Sequence, residues 1–152
     1  LYAQEKGARV HPMHIGGAFH FPFGRVKLTM ALHGSMTPDG RYAGNPCGFL
    51  LQAEGRTLYH AGDTGLFGDM KLLLDLHRPD LALLPIGDNF TMGVQDALVA
   101  ARLLQARLCI PMHFDTFPVI QSDPLAFVQG LEAQGQKGTV LKPGDILAGR
   151  DW

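Results

Sequence analysis

Between Arg25 and Leu32 apolar and polar residues alternate, with Val26, Leu28 and Met30 separated by Lys27 and Thr29. A period of two marks a strand with one buried face, so the pattern predicts a β-strand over 25–32. Phe19–Phe21 precedes it across Pro22-Phe23-Gly24, and the two read as a hairpin. Arg9–His11 reads as a short strand ahead of them. Gly48–Ala53 and Arg56–His60 form a second hairpin across Glu54–Gly55, after a Gly/Pro-rich loop from Gly34 to Pro46.

Beyond His60 the pattern changes. Helices are expected over Phe67–Leu76, Val94–Gln105 and Pro124–Gln134, the last with Asp123 as N-cap and Pro124 in its first position. Strands are expected over Leu81–Leu84, Leu108–Ile110 and Thr139–Leu141. At the other end, Leu1 to Lys6 favour helix and Gly7 stands where a C-cap belongs. With no Met at its start, the chain reads as opening in the last turns of a helix, as a fragment or a piece of a cleaved chain would. Hairpins followed by strand–helix alternation give an α/β (α+β) fold, sheet layers covered by helices, in a single domain over 1–152.

Composition narrows the setting. Of 152 residues 46% are apolar and 18% charged, the balance of a globular domain. The net charge is -1 and no Lys/Arg cluster exists, which disfavours a nucleic-acid partner. No apolar run approaches the roughly 20 residues a membrane helix needs, and no signal-peptide pattern is seen, so no membrane partner is expected. Cys47 and Cys109 are isolated, as in reduced proteins, and a cytoplasmic location is expected.

Seven histidines raise the question of chemistry. His33 ends the 25–32 strand, Asp63 lies just past the 56–60 strand, and His113 just past the 108–110 strand. Site residues on open α/β sheets sit at such strand-to-loop breaks. Imidazole with carboxylate suits zinc and other divalent metals, and a carboxylate can bridge two ions roughly 3.5–4 Å apart. Each residue alone is equally readable as an ordinary loop polar group. His60, three residues before Asp63, is either a proton donor in the site or a strand-end histidine bonded to backbone, so Asp63 and His60 are the candidates for catalysis.

Other readings stay open. His14 and His20 flank Gly16–Gly17, in a loop that either nears the site or stays on the surface. His77, at a helix end, reads as a dipole partner. Asn89 or Thr91, beside Asp88, could cap the helix from Val94 or line the pocket, and Phe90 and Met92 are pocket wall or core. Asp115 orients a ligand or stabilises a turn. Ser35 has no triad arrangement, and Gly62, Gly65 and Gly68 do not make a dinucleotide fingerprint.

Several segments then occur in a telling order: His-Pro-Met-His-Ile-Gly-Gly (11–17), Ala-Leu-His-Gly-Ser (31–35), Leu-Tyr-His-Ala-Gly-Asp-Thr-Gly (58–65), Leu-Leu-Pro-Ile-Gly-Asp-Asn-Phe-Thr-Met-Gly (83–93), Ile-Pro-Met-His-Phe (110–114) and Leu-Lys-Pro-Gly-Asp (141–145). Together they resemble a group of metal-dependent hydrolases in the metallo-β-lactamase superfamily, over essentially the whole chain. The resemblance implies a four-layer αβ/βα sandwich with the metals at one edge of two sheets. It implies that His33 is the ligand following a first cluster, Asp63 the bridging carboxylate and His113 the last ligand. It implies two divalent ions, zinc with manganese as the alternative, activating water against a small-molecule substrate.

The superfamily's His-x-His-x-Asp-His cluster, expected several dozen residues before His33, is missing, as are the first strands of one sheet. His11-Pro-Met-His14 has the wrong spacing and lacks the Asp. Three ligands spread over two ions hold neither tightly. The chain alone is therefore expected to bind metal poorly, and a homo-oligomer or a missing N-terminal segment is the expected partner at the exposed sheet. The alternative function is a non-catalytic metal-binding or scaffold protein that keeps the fold without the complete site. Phosphodiester, lactone, amide and thioester substrates all fit the fold.

Overall fold

Two hairpins and two crossovers lay down one mixed sheet in the computed structural model, which describes residues 2–149. Leu1, with which the expected N-terminal helical turn opens, lies outside them. The strands are β1 (Ala18–Phe21), β2 (Gly24–Met30), β3 (Cys47–Ala53), β4 (Arg56–His60), β5 (Leu81–Pro85) and β6 (Leu108–Met112), hydrogen-bonded in sequence order. The first three pairings are antiparallel; β4–β5 and β5–β6 are parallel. The helices are α1 (Tyr2–Glu5), α2 (Met70–His77), α3 (Val94–Leu104) and α4 (Pro124–Ala133), with a 3-10 turn at Pro118–Ile120.

The alternating side chains sort into two faces. Leu50, Tyr59, Ala82 and Cys109 lie in one cross-strand row. That face is buried under the helices with Met70 of α2, Leu104 of α3 and Phe127 and Leu131 of α4. Ala97, Ala100 and Ala101 bring α3 close to the sheet, and all three are fully buried. The opposite row runs Leu51, Leu58, Leu81 and Leu108. Leu141 and Leu147 cover it around Leu81, Leu108 and Ile110. Towards β1 and β3 the same face stays open, with Phe19 and Phe49 each 42% exposed. The α/β fold is as expected.

Three expected elements are corrected. Arg9–His11 is irregular, not a strand. Ring contacts hold it instead: His11 lies 3.9 Å from Phe19 and 5.3 Å from Phe21, centroid to centroid. Thr139–Leu141 shrinks to one parallel bridge between Gly138 and Cys109. The Lys142–Asp145 turn, closed by Asp145 N–H on the Lys142 carbonyl at 2.9 Å, stops it from extending. The first long helix begins at Met70 rather than Phe67, because Phe67 to Asp69 form tighter turns whose carbonyls accept from residues three along. Asp123 caps α4 as expected, its Oδ1 accepting from the Leu125 and Ala126 amides.

Among the described residues no helix is long and apolar enough to cross a membrane.

Candidate metal centre

The sheet's directions gather the site. β4, β5 and β6 are parallel, and β2 runs with them because β3 reverses against both β2 and β4. The C-terminal ends of β2, β4, β5 and β6 therefore open on one edge. Off them come the loops carrying His33, Asp63, 86–93 and His113. Ligands bind at such an edge of open α/β sheets.

Close backbone contacts fix two of these loops. Gly62 turns with φ +68, and a Cβ there would lie 2.5 Å from the Cys47 carbonyl oxygen. That turn carries the chain out of β4 and presents Asp63. Gly87 packs on the neighbouring loop so tightly that a Cβ would stand 2.3 Å from the His113 carbonyl oxygen. Ile86 N–H also donates to the Met112 carbonyl at 3.1 Å, just ahead of His113.

These constraints bring Asp63 and His113 together, Oδ2 to Nε2, at 3.6 Å. That is too long for a hydrogen bond. It suits two donors to one ion, each at about 2.0–2.2 Å for zinc. His113 Nδ1 is buried with no hydrogen-bond partner among the described residues, a cost of about 1–3 kcal/mol. Asp63 Oδ2 and His113 Nε2 thus offer two of the donors that a divalent cation would need.

The side chain of His33 is not drawn in. It is exposed, and its Nδ1 lies 2.8 Å from the Gly34 carbonyl. Its segment is nonetheless tied to the Asp63 loop, since Gly65 N–H donates to the Leu32 carbonyl at 3.1 Å. Among the described residues no three His, Cys, Asp or Glu side chains gather into a group that could hold a metal ion.

His60 sits between Phe49 and Leu83 in its cross-strand row, on the face away from the helices. Burial holds its pKa below the usual histidine value, with Asp63 opposing. Gly62 N–H donates to its Nδ1 at 3.1 Å, leaving the neutral ring's proton on Nε2.

The remaining candidates separate. His14 and His20 are exposed on the surface. Neither Asn89 nor Thr91 caps α3: its N-cap is Gly93, without a side-chain bond, and the Thr91 hydroxyl donates to the Met92 carbonyl instead. Asp115 takes the turn role, its Oδ1 accepting from Ser122 N–H at 3.0 Å. Met92 is fully buried in the core, whereas Phe90 is exposed and faces Phe117 across 6.4 Å. Cys47 and Cys109 are free, and burial pushes the Cys109 thiol up to about 12.

Backbone strain marks the same edge. Asp88, Asn89, His113 and Asp115 adopt left-handed φ of 58°, 51°, 54° and 59°. Glu54, Arg78 and Gln105 do so too, but in a hairpin turn and at two helix C-caps, where that conformation is ordinary. Strain held in two adjoining loops is typical of functional sites. A hollow of about 620 Å³ lined by Arg102, Arg107 and Lys137 lies beyond the opposite ends of the strands, away from this chemistry.

Sequence reasoning passed over Gly87 and Thr64. The only signal for Gly87 was its place directly after an apolar strand. Thr64 stood inside a motif read for its neighbour Asp63.

Comparison with known proteins places these features in context. A family model described as the beta-lactamase superfamily domain matches residues 1–114. A protein of Anoxybacillus flavithermus named as a UPF0173 metal-dependent hydrolase is 53% identical over 150 residues, 96% of this chain and 65% of its own length. The solved structure of Igni18, a metallo hydrolase from the archaeon Ignicoccus hospitalis, superposes with a TM-score of 0.85 at 38% identity, over 95% of this chain and 62% of its own. An isothiocyanate hydrolase from Delia radicum gut bacteria shares the fold, with a TM-score of 0.72 at 20% identity, over 97% of this chain and 63% of its own. The chain thus spans about 65% of the length of the relatives it matches.

Proposed function

This chain belongs to the metallo-β-lactamase superfamily, and on that premise we propose that it carries one side of the active centre of a divalent-metal-dependent hydrolase acting on a small molecule. The observation that supports this most is the approach of Asp63 to His113 at 3.6 Å, on an edge where four strands end together. What a bound divalent ion supplies is Lewis-acid activation of water and of the scissile group. Asp63 and His113 Nε2 offer the paired donors, and His33 is the third ligand, its loop tied to that of Asp63. In the complete centre, Asp63, His113 and His33 would help hold two divalent ions, zinc with manganese as the alternative.

His60, a neutral ring with its proton on Nε2, would offer a hydrogen bond to negative charge developing on the substrate without giving up that proton. The exposed rings of Phe90 and Phe117 give the edge an apolar rim suited to a small organic substrate. The open face at Phe19 and Phe49 supports a covering layer from a preceding segment or a second copy, which light scattering tests. Two free thiols support a cytoplasmic setting.

Elemental analysis of the intact protein, with hydrolysis of nitrophenyl ester, phosphodiester, lactone, amide and thioester probes, tests the reading. About two divalent ions per chain and metal-restored turnover of one probe class are expected. Protein that retains no divalent metal when supplied with zinc and manganese sinks it. That outcome would favour the non-catalytic scaffold, for which the one structural support is that no three donor side chains converge among the described residues.

A further inference from the structure

Thr64 has no exposed surface, yet it is a polar residue lodged among three loops of the candidate centre. Its hydroxyl accepts from Leu32 N–H at 2.9 Å and donates to the Gly65 carbonyl at 2.8 Å. Gly65 N–H in turn donates to the Leu32 carbonyl at 3.1 Å, so two bonds join the segment before His33 to the segment after Asp63. The Thr64 carbonyl accepts from Met92 N–H at 3.0 Å, and the Met92 carbonyl from Asp88 N–H at 3.0 Å. One residue thus meets the loop of His33, the loop of Asp63 and the 86–93 loop that Gly87 seats against His113.

The chemistry favours a hydroxyl at this point. The Leu32 amide belongs to no strand ladder, since β2 ends at Met30. Leu32 is itself 48% exposed, but its amide turns inward to a part-buried contact, where an acceptor is favoured. The Thr64 hydroxyl supplies one and spends its own proton on Gly65, leaving nothing unpaired. Valine has nearly the same shape but offers neither group. It would take this acceptor from the Leu32 amide and leave a single backbone bond, Gly65 N–H to the Leu32 carbonyl, between the two segments.

We propose that Thr64 is a positioning residue, whose hydroxyl sets the spacing between the His33 and Asp63 loops and so the geometry in which their side chains meet a metal ion. This rests on the metal-centre reading above. It adds that a residue with no ligand atom of its own controls metal affinity.

The test compares Thr64→Val and Thr64→Ser in the intact protein, with cobalt(II) as the probe. Affinity is read by competition with a chromophoric chelator, the visible cobalt band reports coordination, and near-ultraviolet circular dichroism reports folding. Thr64→Ser keeps the hydroxyl and is expected within about twofold of the parent. Thr64→Val is expected to bind about tenfold more weakly or worse, with a changed band, while still folded. This is the scale seen when groups that orient metal ligands are removed. A folded Thr64→Val with parental affinity and spectrum overturns the proposal, as does a Thr64→Ser that loses affinity as far as Thr64→Val. A measurement without any variant stands beside these. The Leu32 amide of the parent should resist hydrogen exchange as the β3 and β4 amides do, and fast exchange at Leu32 overturns the proposal even if Thr64→Val fails to fold. A parent that takes up no cobalt defeats the metal-centre reading itself, and that outcome is distinct from parental binding by Thr64→Val.

Discussion

Asp63 and His113 come from two loops joined to different strands, and their facing atoms, Oδ2 and Nε2, stand 3.6 Å apart. Register explains the meeting: β4 and β6 flank β5 in parallel, so their ends advance to one edge together. If both groups serve one ion, their losses overlap. Asp63→Asn and His113→Gln should each weaken zinc binding by about tenfold or more. The double variant should then lose clearly less than the sum of the two free-energy changes. Isothermal titration across the four proteins checks this; full additivity would mean the two residues act independently.

Gly87 is expected to tolerate no side chain. A Cβ 2.3 Å from the His113 carbonyl oxygen, and 3.0 Å from Ile120 Cβ, forces a backbone shift. Gly87→Ala should cost about 1–3 kcal/mol, or several degrees of melting temperature at about 2–4 °C per kcal/mol. Gly65→Ala is the control, since the nearest atom to its Cβ would be Leu32 Cβ at 4.0 Å. Differential scanning fluorimetry should separate the two.

Much of this frame can be read directly from the residues. The alternation from Val26 to Met30, the Glu54–Gly55 turn and the Asp123-Pro124 helix start are local signals and the elements form there, although the strand expected over 25–32 spans Gly24–Met30 and stops two residues short. The short apolar run at 139–141 misleads because one residue's pairing with Cys109 is settled by the turn that follows it, a tertiary matter. In the same way His33, Asp63 and His113 are recognisable by their places after strands. Whether their side chains meet depends on rotamers and on loops that no periodicity encodes. His33 shows this: its loop is tied to that of Asp63 while its ring turns to Gly34.

His77 should make stability depend on pH. Burial lowers its pKa, and Lys27 and Arg25 add to the effect. Its Nε2 is buried without a partner among the described residues. The folded protein therefore holds this proton less readily than the unfolded chain does, so the unfolded state binds more protons as pH falls. Stability should be full above the unfolded value near 6.5 and decline as pH drops from there through the lowered folded value. Urea unfolding between pH 8 and pH 5 measures it, and His77→Gln should flatten the slope. An unchanged slope in that variant would clear His77 of the effect.

Asp123 is expected to carry the start of α4. Its Oδ1 accepts from two amides, at 2.9 Å and 3.1 Å. Asp123→Ala should cost about 0.5–2 kcal/mol, and Asp123→Ser should recover most of it. Chemical denaturation of the two variants gives the answer.

The left-handed backbone at Asp88, Asn89, His113 and Asp115 also limits how the protein can be made hardier. Glycine at Asn89 would relieve the torsional penalty of that turn, and heat tolerance should improve by about 1 kcal/mol or less. The same exchange at His113 would remove a proposed ligand, and at Asp115 it would free a loop that its carboxylate clamps to Ser122. Thermostability is therefore to be sought in α2, α3 and α4, where relaxing the chain leaves the aim of the working edge untouched.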